Sequence, residues 1–371
     1  MPYKIPVAAP ALNGNEKKYV DDCMESGWIS SAGKYIELFE AGFAEFCGAA
    51  HAVACCNGTI ALHLALVALG VRQGDEVIVP TLTFVATANA VTYCGASPVF
   101  VDSEPETWNL DPRQVEAKIT PRTKGIIAVH LYGHPAKMSE LKEIARRHNL
   151  FLLEDAAEAH GAIYKGQTVG SIGDAAAFSF YANKIITTGE GGMFVTGDDA
   201  LAERARLLRG QGMDSTRRYW FPIVGYNYRM MNLPAAIGLA QLEKIDEQLA
   251  ARSRIAASYR KNLQGIEGLT WQNEMLWARH VYWMFNVILE PNVWAARDEV
   301  MKILGEQGIE TRPVFYPAHT FPPYAESASG EEFPIAERLS RNGISLPTWA
   351  GLKSEDIDYI CDCLRKCKIK A

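Results

Sequence analysis

Apolar and polar positions along this chain follow two rhythms that take turns. "GTIALHLALVALGV" keeps its apolar residues on a helical face and is predicted to start at a Thr cap, while "DEVIVP" is a short apolar run stopped by Pro80. "FVATANAVTYCG" then reads as a helix and "SPVFVD" as a strand; "KGIIAVHLYG" reads as a strand and "KMSELKEIARRHNL" as an amphipathic helix. "FLLEDAAEAHG" predicts a strand running into a loop, "AAAFSFY" and "GGMFVTGD" two more strands, and "ALAERARLLRG" a helix. Alternation of this kind, with short connections, predicts an α/β fold whose central sheet is mostly parallel and flanked by helices on both faces.

From about Leu242 the pattern changes. A long charged helix, "QLEKIDEQLAARSRIAASYRKNL", is predicted, followed by "HVYWMFNVIL" as a strand, "RDEVMKILGEQG" as a helix, "IETRPVF" as a strand and "SEDIDYICDCLRKC" as a last helix. The chain has 371 residues, more than one domain usually holds. We therefore expect a large domain over residues 1–250 and a smaller C-terminal α+β domain over 251–371.

Composition narrows the class. Hydrophobic residues make up 48% and charged residues 22%, an ordinary globular mix. A formal net charge of -6 leaves no basic excess to neutralise phosphates, which argues against a nucleic-acid partner. The opening residues lack a charged segment leading into an apolar run, and "TLTFVATANAVTYCGASPVFV" is interrupted by Asn89 and several threonines. Neither a signal peptide nor a membrane span is expected, and the reading is a cytoplasmic protein. Of the eight cysteines, Cys55 and Cys56 are adjacent and Cys361, Cys363 and Cys367 cluster near the end. None has zinc-ligand spacing, so buried thiols are expected and no metal.

Candidate chemistry gathers where strands end, the place where open α/β sheets bind ligands. Asp155 closes the apolar run "FLLED", Ser179 and Lys184 follow "AAAF", and Gly58 and Thr59 stand just before a helix, where backbone N–H groups favour an anion. Taken singly, each has an ordinary explanation: a solvated loop lysine, a helix-capping Asp, a turn. Together a phosphate seat, a strand-end carboxylate and an isolated lysine are what pyridoxal phosphate requires. The lysine links to it through a Schiff base, and the buried Asp keeps the ring nitrogen protonated. Phe84, after the strand ending at Pro80, is a candidate for stacking on the cofactor face. "GAIYKGQ" carries Gln167 where a P-loop needs Lys, and "GEGGMF" opens no helix, so two other phosphate motifs are excluded.

The segments "ACCNGTIALHLAL", "HLYG", "EDAAEAHGA", "GDAAAFSFYANKIITTGEGGM", "GYNYRMMNLPAAIGLAQL" and "RPVFYPAH", in this order over nearly the whole chain, resemble the sugar-nucleotide aminotransferases of the DegT-type branch of fold-type I pyridoxal phosphate enzymes. The resemblance implies Lys184 as the catalytic, cofactor-linked lysine, Asp155 as partner of the ring nitrogen, and Glu158 near the ring hydroxyl, where many relatives carry Gln. It further implies Gly58, Thr59 and Ser179 on the phosphate, Phe84 on the ring, and Asn227 reaching the phosphate from a second subunit, hence a homodimer with shared active sites. Trp28, Ser30, Ser31, His160, Arg229 and His319 are expected to border the substrate. The implied reaction carries an amino group from glutamate, through pyridoxamine phosphate, to the 4-keto carbon of a nucleotide-linked 6-deoxysugar, a polysaccharide precursor. Through "SGWISS", "NKIITTGEGGM" and "RGQGMDSTRRYWFPIVGYNYRM" the resemblance implies a GDP-linked 4-keto-6-deoxymannose as acceptor; a UDP- or dTDP-ketosugar is the alternative. The related pyridoxal phosphate sugar dehydratases replace or redeploy the lysine, so Lys184 favours amino transfer.

Overall fold

The computed structural model describes residues 4–369. Its centre is a seven-stranded sheet made of β1 (His51–Cys55), β2 (Glu76–Pro80), β3 (Ser97–Val101), β4 (Thr123–Val129), β5 (Phe151–Asp155), β8 (Ala175–Ser179) and β9 (Gly192–Thr196). Two short strands, β6 (Ile163–Tyr164) and β7 (Gln167–Thr168), form a hairpin between β5 and β8. The order across the sheet is β1-β9-β8-β5-β4-β2-β3. β8, β5, β4, β2 and β3 pair in parallel, while β9 is antiparallel to both its neighbours. β2, β8 and β9 are buried at every residue, and β4 and β5 at all but one, as expected of strands covered on both faces.

Helices α1 (Glu16–Ser26), α2 (Lys34–Cys47), α3 (Gly58–Ala68) and α4 (Ala86–Tyr93) lead into or out of these strands. α3 starts two residues earlier than its sequence predicts. Its cap is Asn57, extended at φ -164° and accepting the Ile60 N–H at 2.9 Å, whereas Thr59 is already helical. A cap of this kind contributes about 1 kcal/mol, and here it frees Thr59 to face the strand ends.

The predicted long helix, residues 241–263, forms from Ile245 to Leu263; its first two residues end a separate helix, Asn232–Leu242, parted from it at Glu243 and Lys244. The separate helix is apolar nearly all round because it is packed between α1 and α2, so it carries no amphipathic signal. The long helix supplies Ile245 and Leu249 to the core under the large sheet and Ile255, Tyr259 and Leu263 to another core. That other core lies against a four-stranded sheet of β10 (Leu269–Trp271), β12 (Phe285–Leu289), β13 (Arg312–Pro313) and β14 (Gly343–Leu346), ordered β10-β12-β14-β13. The short β11 (Ala278–Arg279) pairs with β6 instead. "IETRPVF" forms only a two-residue strand, since Pro313 has no N–H to extend the ladder. "HVYWMFNVIL" becomes strand only from Phe285, because Tyr282 takes a left-handed φ of 48°. No helix among the described residues is long and apolar enough to cross a membrane.

Candidate active site

A cavity of about 520 Å³ opens at the carboxyl ends of the parallel strands. Gly58, Thr59, Phe84, Asp155, Glu158, Ser179 and Lys184 all line it. Each arrives by a separate route: Asp155 ends β5, Ser179 ends β8, Gly58 and Thr59 begin α3, and Lys184 follows the turn closed by its N–H to the Tyr181 carbonyl. An added Cβ at Gly58 would lie 2.6 Å from that of Ser179, so only glycine lets the helix start come this close to the serine hydroxyl. The leading N–H groups of a helix lack intrahelical partners, so this end of the cavity suits an anion such as phosphate.

Asp155 is buried, with one carboxylate oxygen accepting from the Thr87 hydroxyl at 2.7 Å and the other from the Ala157 N–H at 3.2 Å. Burial pushes its carboxyl up, and the Thr87 and Ala157 hydrogen bonds oppose the rise. Lys184 Nζ lies 3.7 Å from Glu158 Oε1. Burial lowers the basicity of the amine, against the pull of Glu158 and Asp155. Glu158 is pushed up to about 7 by burial, opposed by Lys184 and by the Tyr132 N–H, which donates to its other oxygen at 2.7 Å. Burial thus moves the proton affinities of amine and carboxyl toward each other, in contrast to a surface ion pair. Phe84 presents a ring 56% exposed to the cavity, 5.9 Å from that of Phe315.

The remaining expected residues divide. Ser30, Ser31, Asn227 and Arg229 line a neighbouring cavity of about 470 Å³ with Cys56 and Glu190, and Glu190 also lines the first. Arg229 Nε donates to the Ser31 hydroxyl at 3.2 Å. Trp28 is exposed beside them, its carbonyl accepting from Asn232 at 2.7 Å. Asn227 does not line the cavity of its own Lys184. His160 and His319, expected at the substrate, are brought to neither cavity. His160 is wholly buried among Phe43, Phe178 and Phe180, and burial pushes its imidazole down to about 3. His319 hydrogen-bonds Thr81 at 2.6 Å and stacks on Phe333 at 4.3 Å.

Sequence reasoning missed Thr87, Trp283, Arg312 and Phe315, which line the Lys184 cavity. Thr87 was within reach, one helical turn beyond Phe84. Trp283 was hidden in a segment read only as a strand, and Arg312 and Phe315 lie in "RPVFYPAH", a segment that carries the family resemblance but in which only His319 was given a role. Among the described residues no cluster of His, Cys, Asp and Glu is gathered to hold a metal.

A lysine of lowered basicity, a strand-end carboxylate with a dedicated hydroxyl donor, and a helix start beside a serine are groups whose chemistry suits pyridoxal phosphate, here gathered on an α/β sheet. The model of the DegT/DnrJ/EryC1/StrS aminotransferase family matches residues 10–365, and the chain belongs to that family. It is 58% identical, over 96% of both chains, to a GDP-perosamine synthase of Caulobacter vibrioides. To a GDP-perosamine synthase of Escherichia coli O157:H7 it is 48% identical over 98% of both chains. Among solved structures it resembles DesI, determined in the presence of its TDP-sugar product, with TM-score 0.92, 36% identity, and 99% of this chain and 93% of that one covered.

Proposed function

We propose that this chain transfers an amino group from glutamate to C4 of GDP-4-keto-6-deoxymannose, giving GDP-perosamine and 2-oxoglutarate. The observation that carries this reading is the 58% identity, end to end, with a GDP-perosamine synthase, combined with the lysine, aspartate and phosphate seat at the strand ends.

Pyridoxal 5′-phosphate, when bound, supplies an electron-accepting ring conjugated to the nitrogen being transferred. Gly58, Thr59 and Ser179 would hold its phosphate, with the α3 start contributing N–H donors. Asp155, fixed by Thr87, would keep a proton on the ring nitrogen. Glu158, protonated in part near neutrality, would offer a hydrogen bond to the ring oxygen as the amide of Gln does. Phe84 would cover the ring. Lys184 moves the protons: its free amine takes the α-hydrogen of glutamate, and later its ammonium gives a proton to C4 of the sugar. Burial lowers the basicity of that amine, which makes its free form more accessible for taking the proton.

Asn227 and Arg229, displaced from their own Lys184 cavity, fit a homodimer in which each subunit completes the other's site. Arg229 suits a diphosphate or carboxylate through paired hydrogen bonds. The substrates are small and soluble, and a cytoplasmic setting follows from them. A panel of GDP-, UDP- and dTDP-4-ketosugars with glutamate as donor tests the reading. Turnover confined to the GDP sugar is the expected result; turnover confined to a UDP or dTDP sugar would replace the acceptor while leaving amino transfer in place.

A further inference from the structure

Trp283 comes from outside the strand-end motifs, yet it closes a ring of contacts around Lys184. The lysine Nζ lies 3.8 Å from the centre of the indole. The indole N–H donates to the carbonyl of Asn183, the residue before the lysine, at 2.8 Å. The Trp283 backbone N–H donates to the Tyr132 carbonyl at 3.0 Å, and the Tyr132 N–H donates to Glu158, whose other oxygen faces Lys184. The path therefore runs from ammonium to indole to backbone to carboxylate and back to ammonium.

The tryptophan itself is fixed from behind. Buried Arg252 donates to the carbonyls of Tyr282 and Trp283 at 3.3 and 3.0 Å. The Tyr132 ring lies parallel to the indole within 11°, 6.0 Å away. Gly133 leaves room for this approach: at φ 102° it has no side chain to strike Val281 or the Trp283 N–H. An indole face attracts an ammonium group and does little for a neutral amine. Glu158, Asp155 and Glu190 are the carboxylates around the lysine; Arg312 and His160 are the basic groups that oppose them, and Tyr181 lines the same cavity.

We propose that Trp283 is a positioning residue for Lys184, offering the protonated amine a resting place opposite Glu158 between its two proton transfers and aiming the side chain through the Asn183 carbonyl. The proposal rests on Lys184 being the proton carrier, and its test does not depend on turnover. In full-length protein freed of cofactor, labelling of Lys184 by an amine-reactive reagent is followed across pH by mass spectrometry, which gives the proton-binding midpoint of that amine. Trp283→Leu keeps the cavity apolar and removes the ring face, so the midpoint should fall by about half to one pH unit. Trp283→Phe should fall less. Protein made with mono- and trifluorinated tryptophan keeps shape and N–H while weakening the face, and the midpoint should fall in step with the number of fluorines. This series decides the matter if Trp283→Leu does not fold. A midpoint unmoved by fluorination overturns the proposal. In the loaded enzyme, the acidic limb of the kcat–pH profile of Trp283→Phe should shift the same way, with KM for glutamate little changed. A wild-type enzyme inactive on every ketosugar would refute the functional reading and leave the labelling result standing.

Discussion

Glu154 and Asp155 are successive residues of β5, both buried, and the fold treats them in opposite ways. Glu154 points to the face of the sheet away from the cavity and accepts four hydrogen bonds: His130 Nε2 at 2.9 Å and the backbone N–H groups of Gly170, Ile172 and Gly173 at 2.9, 2.8 and 2.8 Å. His130 Nδ1 accepts from the Ala136 N–H, so its proton sits on Nε2, aimed at Glu154. Burial alone would push Glu154 up; these donors outweigh it and hold the carboxyl below its usual range. Asp155 receives two donors, and burial wins. A carboxylate that ties a fold together is saturated by it. One that serves a ligand keeps acceptor capacity free toward the cavity, at a cost in stability that a bound cation offsets.

The largest test of this contrast is on the cavity side. Lys184→Ala should lower glutamate-dependent amino transfer by about 10²–10⁴-fold while leaving the circular dichroism spectrum unchanged; near wild-type turnover would remove the lysine from the chemistry. Next comes the saturated partner. Glu154→Gln places an amide N–H₂ among donors, and should cost about 3 kcal/mol in denaturant unfolding with kcat per folded molecule almost unchanged. A large loss of kcat at full stability would erase the distinction between the two carboxylates.

The pH dependence of stability sharpens it further. Glu154, depressed below its unfolded value of 4.5, contributes stability above pH 4.5 that is lost as pH falls through its folded value. Glu158, raised from 4.5 to about 7, acts the other way: the native state keeps a proton the unfolded chain has released, so stability from this group declines as pH rises from 4.5 to 7. In cofactor-free protein Glu158→Gln should flatten Tm against pH across that window, while Glu154→Gln should flatten it only below 4.5. The smallest effect belongs to Thr87→Val. Losing the hydroxyl donor to Asp155 should cost about 1–2 kcal/mol and loosen cofactor retention in dialysis, whereas unchanged retention would make the hydroxyl incidental.

Much of this was legible in the chain. The strand ends carrying Asp155, Ser179 and Lys184 follow apolar runs that periodicity identifies, and a parallel sheet puts such ends together whatever the loops do. What escaped depends on packing between distant segments. Trp283 is separated from Lys184 by nearly a hundred positions and lies in a run that reads as strand. His160 is adjacent in sequence to the site residues, yet the phenylalanines of α2 and β8 enclose it. The helix Asn232–Leu242 was invisible because a segment apolar nearly all round has no polar face to mark its period. Asn57 took the cap predicted for a threonine because its backbone is still extended where the helix has yet to begin.

The helix Ile245–Leu263 acts as a spine common to both halves of the molecule. Its first turns are wedged beneath the catalytic sheet and its last turns beneath the four-stranded one. Loosening either half would strip apolar cover from the same rod, so heat should melt them in one calorimetric transition. The lysine loop and the tryptophan that faces it would then fall apart together.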